Sequence, residues 1–170
     1  MKILKRHLWI VAMAFGLLFV GLGALFIVMG LDAKDTIRTA LADENVTTGK
    51  DAVNFGVHAG VLVDDAKTAE AQAEVIKMHT IDRYGRYTDM ERDDPNRATY
   101  IKGLTLRNAL HMAVMGFGVT DLAIGTGVVI ILMGAGTLVL VAPVLFMVAT
   151  EEEEDEVATG AAAGVAGAAV

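Results

Sequence analysis

The sequence predicts an all-α membrane protein in which two transmembrane helices are separated by a small, mostly helical extracytoplasmic domain. Two uncharged stretches, residues 8–31 and residues 122–149, carry this prediction. Each is longer than the ~20 apolar residues that a helix needs to cross a hydrocarbon core of ~30 Å. The sequence between them is polar and of ordinary composition, so we expect it to lie outside the hydrocarbon core.

Composition agrees with a bilayer as the main surroundings of the chain. Hydrophobic residues make up 54% of the sequence, above the roughly 45–50% of soluble domains. Cysteine is absent, which excludes disulfides, thiolate metal sites and cysteine nucleophiles. The net charge of −7 argues against nucleic acid as a partner, because binding to phosphates needs an excess of Lys and Arg.

The first span, residues 8–31, follows a basic head, residues 1–7. A secretory signal peptide begins in the same way, but its apolar region has only ~7–15 residues and ends at a cleavage site with small residues. Residues 30–33 make a poor cleavage site, so the sequence favours an uncleaved helix. Basic residues in the head predict a cytoplasmic N-terminus by the positive-inside rule.

Both termini are therefore expected in the cytoplasm, with residues 32–110 on the other side of a bacterial plasma membrane. Eleven of the 14 Lys and Arg residues lie in this loop domain, which by itself suggests the opposite orientation. Loops longer than ~60 residues carry little weight in the rule, however, and the first helix usually decides.

Within the loop domain, the first helix is expected to continue to residue 43. Asp64 or Asp65 can cap a second helix over residues 66–81, and residues 88–91 match a capping box. Asp94 and Pro95 form a favourable start for a long helix.

No strong stop signal follows before Pro143. Residues 111–150 are thus a long helix with a transmembrane span at about 122–149. The tail, residues 151–170, is acidic and then rich in Ala and Gly, and we expect it to be disordered.

Glycines in both spans recur at helical spacing. In a helix with ~100° per residue, one set of small residues lies on a single face of the first span, and another set lies on a single face of the second span. Small residues on these faces allow a second helix to approach closely. A third set lies on the opposite face of the second span and would be free for a second protomer or another membrane protein. The alternative interpretation is that these glycines reflect only the general frequency of glycine in membrane helices. The packing faces comprise Gly16, Gly23 and Gly30 of the first span and Gly116, Ala123, Gly127 and Gly134 of the second; the partner face comprises Gly118, Gly125 and Gly136.

Asp121 is the ionisable residue to consider first, because a charge within a membrane segment is a functional hypothesis by default. The alternative is that Asp121 marks the outer boundary of the second span, as Asp32 does for the first, and pairs with Lys34 or Arg38. The uncharged interval between Arg6 and Asp32 is similar in length to the one between Asp121 and Glu151. This similarity favours the interpretation of Asp121 as a boundary residue.

Signatures of enzymes and cofactors are weak. Gly116 and Gly118 suggest a dinucleotide loop, but no strand precedes them and they lie at or in the membrane. The histidines lack metal-ligand spacing; His58 and His79 could meet only through folding. We therefore expect no cofactor and no catalytic residues.

Four segments, residues 38–47, 69–76, 87–100 and 104–110, resemble a family of small two-span membrane proteins of actinobacteria and related bacteria. The resemblance covers most of residues 1–149 and implies the two-span topology. Some members are labelled as aromatic ring-opening dioxygenase subunits, but this sequence shows no His, His and carboxylate set for iron. The expected function is a non-enzymatic accessory or structural membrane component. Alternatives are a small transporter or channel subunit that uses Asp121, or an enzyme with its site in the loop.

Overall fold

A computed structural model describes residues 7–151, 154 and 157. The described residues are helical apart from turns and loops; Thr47 and Leu62 form an isolated antiparallel bridge, and this part of the chain contains no strand. The basic head, and most of the acidic and Ala/Gly-rich tail, fall outside the described residues.

Helix α1 spans Leu8–Asp43. It therefore continues well past the uncharged stretch, as the sequence predicts, because residues 32–43 contain neither Gly nor Pro to stop it. The helix ends where Asn45 adopts a left-handed conformation with φ of 48°. Asn tolerates this conformation better than most residues and is a common helix terminator.

Helix α2 spans Ala66–Tyr84, three residues longer than predicted. Its N-terminus is a capping box: the Asp65 carboxylate accepts from the Thr68 backbone N–H, and the Thr68 hydroxyl accepts from the Asp65 N–H. This arrangement satisfies two of the N–H groups that a helix start leaves without partners. Before α2, a 3-10 turn covers Lys50–Phe55.

Helix α3 runs over Arg97–Glu151 and begins two residues after Pro95. The Asp94 carboxylate accepts from the backbone N–H of Asn96 at this start. The capping box predicted at residues 88–91 is wrong: Tyr87–Asp89 is a single 3-10 turn without a side-chain cap, and the Thr88 hydroxyl donates to the adjacent Asp89 carboxylate.

Near its end, α3 changes from α-helix, Arg97–Gly136, to a π-turn, Thr137–Val141. Pro143 explains this change, since its ring lacks an N–H and collides with the carbonyl four residues earlier in a regular α-helix. One wider turn before the proline relieves the collision. The backbone N–H of Ala142 then donates to the Thr137 carbonyl, and the helix continues.

The chain divides into two compact units. One comprises the residues up to Ile27 and from Gly125 onward, and the other comprises Val28–Ile124. The second unit has a small core on both sides of α2. Ala71 and Val75 pack with Ala52 and Val57, while the opposite side of α2 packs against residues from α1, α3 and the loop: Ala69 and Ala73 with Leu41, Val63 and Leu110.

Within the part of the chain that the structure describes, two helices are long and apolar enough to cross a membrane, Leu8–Asp43 and Arg97–Glu151. In the most apolar window of each, just 11% is buried within the protein. A core helix of a soluble protein would be mostly buried, so this large apolar surface needs another covering.

Candidate functional site

In the first unit, α1 and α3 approach each other closely at Gly23 and Gly127. A methyl group built on Gly23 would lie 2.5 Å from the Gly127 carbonyl oxygen, and one built on Gly127 would lie 2.6 Å from the Gly23 carbonyl oxygen. Backbone atoms cannot move away as a side chain can. Both positions therefore require glycine at this separation of the two helices.

Gly16 and Gly134 repeat this arrangement one heptad away on each helix. A methyl group on Gly134 would lie 2.7 Å from the Gly16 carbonyl oxygen, and one on Gly16 would lie 2.6 Å from the Leu138 side chain. On each helix the close positions are thus seven residues apart. A seven-residue repeat keeps a contact seam aligned when two helices coil around each other with a left-handed twist.

In the second unit, Gly30 faces Thr120 and Ile124. A methyl group on Gly30 would lie 3.1 Å from the Thr120 carbonyl oxygen and 2.7 Å from the Ile124 side chain. Thr120 is buried, and its hydroxyl donates to the Phe117 carbonyl, so it presents no unpaired polar group. Farther along, the Ile37 side chain fills the space beside Gly116, 2.8 Å from a methyl group built there.

Asp121 pairs with Lys34 across the same interface. The Lys34 Nζ donates to the Asp121 Oδ1 at 2.6 Å, and the two side chains are 25% and 58% exposed. Arg38, the other partner considered from the sequence, instead donates through Nε to the Asp64 backbone carbonyl. The structure thus places Asp121 at the helix interface with a lysine beside it.

The glycines assigned to the partner face have no neighbours. A methyl group on Gly118, Gly125 or Gly136 would meet nothing within 4 Å. Ala123 is half-buried. Gly21 of α1, which the sequence analysis did not single out, is equally open. It lies outside the seven-residue repeat of Gly16, Gly23 and Gly30, so that repeat gives no signal for it.

The loop histidines do not meet. The His79 Nε2 lies 2.6 Å from the Asp51 Oδ2, and this hydrogen-bond contact joins α2 to the 3-10 turn at Lys50–Phe55. No group of three His, Cys, Asp or Glu residues that could hold a metal ion occurs among the described residues.

The cap residue Asp65 has a perturbed acidity. Hydrogen bonding from the Thr68 backbone N–H lowers the pKa of the Asp65 carboxyl below its ordinary value of 3.8, and the Thr68 hydroxyl adds to this effect, while partial burial opposes it. The carboxylate form is the one that accepts these bonds. Asp65 is therefore explained by helix capping, and its acidity does not indicate catalysis.

Comparison of the chain with protein-family models, with curated proteins and with solved structures gave no match.

Proposed function

We propose that the chain is an integral protein of a bacterial plasma membrane, with α1 and α3 as its two spans. Both termini lie in the cytoplasm, and the domain of residues 32–110 lies on the opposite side. In this proposal the protein is a non-enzymatic accessory or structural component. It associates with a second copy of itself or with another membrane protein through the outer glycine face of α3, defined by Gly118, Gly125 and Gly136.

The observation that carries the proposal is the difference between the two glycine faces of α3. Gly127 and Gly134 are in backbone contact with α1, whereas a methyl group on Gly118, Gly125 or Gly136 meets nothing within 4 Å. Small residues in membrane helices favour close packing because van der Waals contact and weak hydrogen bonds replace the missing hydrophobic drive. The inner face uses its glycines in this way, and the outer face offers the same chemistry to a partner.

Substitution of the outer glycines by leucine tests this role. In Gly118→Leu and Gly125→Leu we expect chemical cross-linking in native membranes to show loss of the self-associated or partner-bound form. Gly21→Leu is the matched control, because Gly21 is an equally open glycine on the other helix, and its association should persist. Unchanged association in both α3 variants would contradict the proposal.

A small transporter or channel subunit is the second candidate function, and Asp121 is the residue that favours it. Its carboxylate lies in a helix long and apolar enough to cross a membrane, and more than half of its side chain is exposed. The pairing with Lys34 supports the accessory role instead, since a paired charge joins the two helices and needs no transported ion.

A further inference from the structure

A groove of about 380 Å³ lies between α1 and α3 within the first unit. Its volume falls in the ~300–1,000 Å³ range of small-molecule sites. Two aromatic rings meet edge to face in its wall, with centroids 5.3 Å apart. We call it the Trp9 groove; it is lined by Trp9 and Met13 of α1 and by Leu138, Ala142, Pro143 and Phe146 of α3.

The α3 wall of the groove includes a turn in which one backbone carbonyl has lost its helical donor. In the π-turn, the Ala142 N–H donates to the Thr137 carbonyl, whereas in an α-turn it would donate to the Leu138 carbonyl. The following residue, Pro143, has no N–H. The Leu138 carbonyl is therefore left without the donor of either an α-turn or a π-turn.

Among the described residues, no side chain replaces that donor. The neighbouring Thr137 hydroxyl donates instead to the Met133 carbonyl. Proline is tolerated in membrane helices where hydroxyl side chains, neighbouring helices or water satisfy the freed backbone groups. Because an unpaired carbonyl in hydrocarbon is costly, we expect the Leu138 carbonyl to take a donor from outside the chain.

Trp9, on the other helix, supplies the complementary group. Its indole N–H can only donate, and it has no acceptor within the part of the chain that the structure describes. Part of the groove wall is polar, although its other side chains are apolar except for the weakly accepting Met13 sulfur. The groove thus combines an N–H donor and a carbonyl acceptor with otherwise apolar surroundings.

We propose that the Trp9 groove binds an uncharged lipid that carries a free hydroxyl group. The hydroxyl accepts from the Trp9 Nε1 and donates to the Leu138 carbonyl, and the hydrocarbon chain lies against the apolar side chains of the groove. A hydroxyl both donates and accepts, whereas a carboxylate only accepts and cannot pair with a carbonyl. This inference rests on the proposed membrane location.

A second copy of the chain fits the groove less well than such a lipid. Within the two uncharged stretches, the only hydroxyls are those of Thr126 and Thr137. Thr137 already donates to Met133, and Thr126 is twelve residues from Leu138, about 18 Å along the helix axis. A copy inserted with the same topology presents the same residues at the same depth, so it brings no free hydroxyl to this groove.

The fluorescence of Trp9 tests the proposal, because Trp9 is the only tryptophan in the chain. The protein in nanodiscs of phosphatidylcholine, which has no hydrogen-bond donor, would be titrated with a dibrominated long-chain alcohol, its methyl ether or the corresponding alkane. We expect half-maximal quenching at a mole fraction of alcohol at least about fivefold below that of the alkane, since two hydrogen bonds distinguish them. The ether, which accepts but does not donate, should lie between them.

Pro143→Ala tests the part of the Leu138 carbonyl. The variant restores the missing backbone N–H, so the preference for the alcohol over the ether should disappear while the alkane still quenches. Pro95→Ala replaces the other proline of the chain and is the matched control. Its preference for the alcohol should equal that of the wild type.

Three outcomes would overturn the inference. Equal quenching by all three probes would make the groove an ordinary lipid-facing surface, and a preference that persists in Pro143→Ala would remove the Leu138 carbonyl from the site. Absence of quenching by every probe would exclude lipid, and disulfides between Met13→Cys chains would then assign the groove to a second copy.

Val129→Cys separates these failures from failure of the proposed membrane location. Val129 is exposed within the second span, and the natural chain has no cysteine. Protection of this cysteine from a membrane-impermeant maleimide would leave the membrane location standing whatever the three probes show. Rapid labelling there would contradict the membrane location itself.

Discussion

The Lys34 ammonium and the Asp121 carboxylate join the two long helices by an ion pair of 2.6 Å, although 87 positions separate the residues in the chain. Each lies just beyond the uncharged stretch of its own helix. In water such a pair contributes little, typically ~0–1 kcal/mol. In lipid, removal of one partner leaves an unpaired charge in an apolar medium, and the cost is much larger.

A double-mutant cycle tests whether the Lys34–Asp121 pair lies in water or in lipid. We expect Lys34→Met and Asp121→Leu to destabilise the protein separately and the double variant to recover much of the loss, with a coupling energy above ~1 kcal/mol. The measurement is reversible unfolding in lipid nanodiscs. The Lys77–Glu74 pair on the exposed side of α2 is the control, and its coupling should stay below that value. Equal coupling in both pairs would place Lys34 and Asp121 in water.

Gly23→Ala tests whether backbone contact holds the two helices together. The added methyl group meets the Gly127 carbonyl oxygen at 2.5 Å, so the helices must move apart, at a cost of ~1–3 kcal/mol. Gly21→Ala is the matched control on the same helix, because nothing lies within 4 Å of a methyl group there. Stability in lipid nanodiscs should fall for the first variant and hold for the second. Equal tolerance of both would argue against this interface.

Much of this interface follows from helical periodicity. Gly127 and Gly134 lie on one face of α3 at ~100° per residue, and the same rule separates them from Gly118, Gly125 and Gly136. Periodicity cannot give the register between two helices, however. That Gly23 faces Gly127, or that Ile37 fills the space beside Gly116, depends on how the loop domain joins the two helices.

Other features could be identified only from the folded structure. Asp65 was one of two possible caps in the sequence, and the hydrogen bonds from Thr68 distinguish it from Asp64. The contact of His79 with Asp51 depends on packing between α2 and the 3-10 turn, which no local pattern records.

Asp65→Ala should weaken the start of α2 by about 1 kcal/mol, the usual cost of losing a helix cap. Hydrogen exchange of the α2 amides in the full-length protein is the measurement, with faster exchange expected in the first turn. Asp65→Asn is the control, because asparagine caps a helix about as well as aspartate. Slow exchange in Asp65→Ala would show that the cap contributes nothing.

Acid should weaken the start of α2 in the wild-type protein as Asp65→Ala does, because protonation removes the carboxylate form of the cap. The pKa of Asp65 is lower in the folded protein than its ordinary value of 3.8, so the unfolded chain binds the proton more readily. The stabilisation is therefore complete above that ordinary value and is lost as the pH falls through the lower folded value. Asp65→Asn should lack this component of the acid sensitivity.

Asp121→Asn distinguishes the accessory role from transport. The variant keeps the size of the side chain and a hydrogen-bond acceptor for Lys34 but removes the charge. We expect unchanged growth and no change in proton leak across vesicles, measured with a pH-sensitive dye. A defect in either, with normal amounts of protein in the membrane, would favour a transporter or channel subunit that uses Asp121.

The central claim is that α1 and α3 both cross the membrane and place the loop domain outside the cytoplasm. Labelling of single cysteines with an impermeant maleimide in intact cells tests it most directly. We predict that Thr99→Cys is labelled from outside, while Leu8→Cys and Glu151→Cys are labelled only after permeabilisation. Labelling of either end from outside, or protection of Thr99→Cys in intact cells, would contradict this topology.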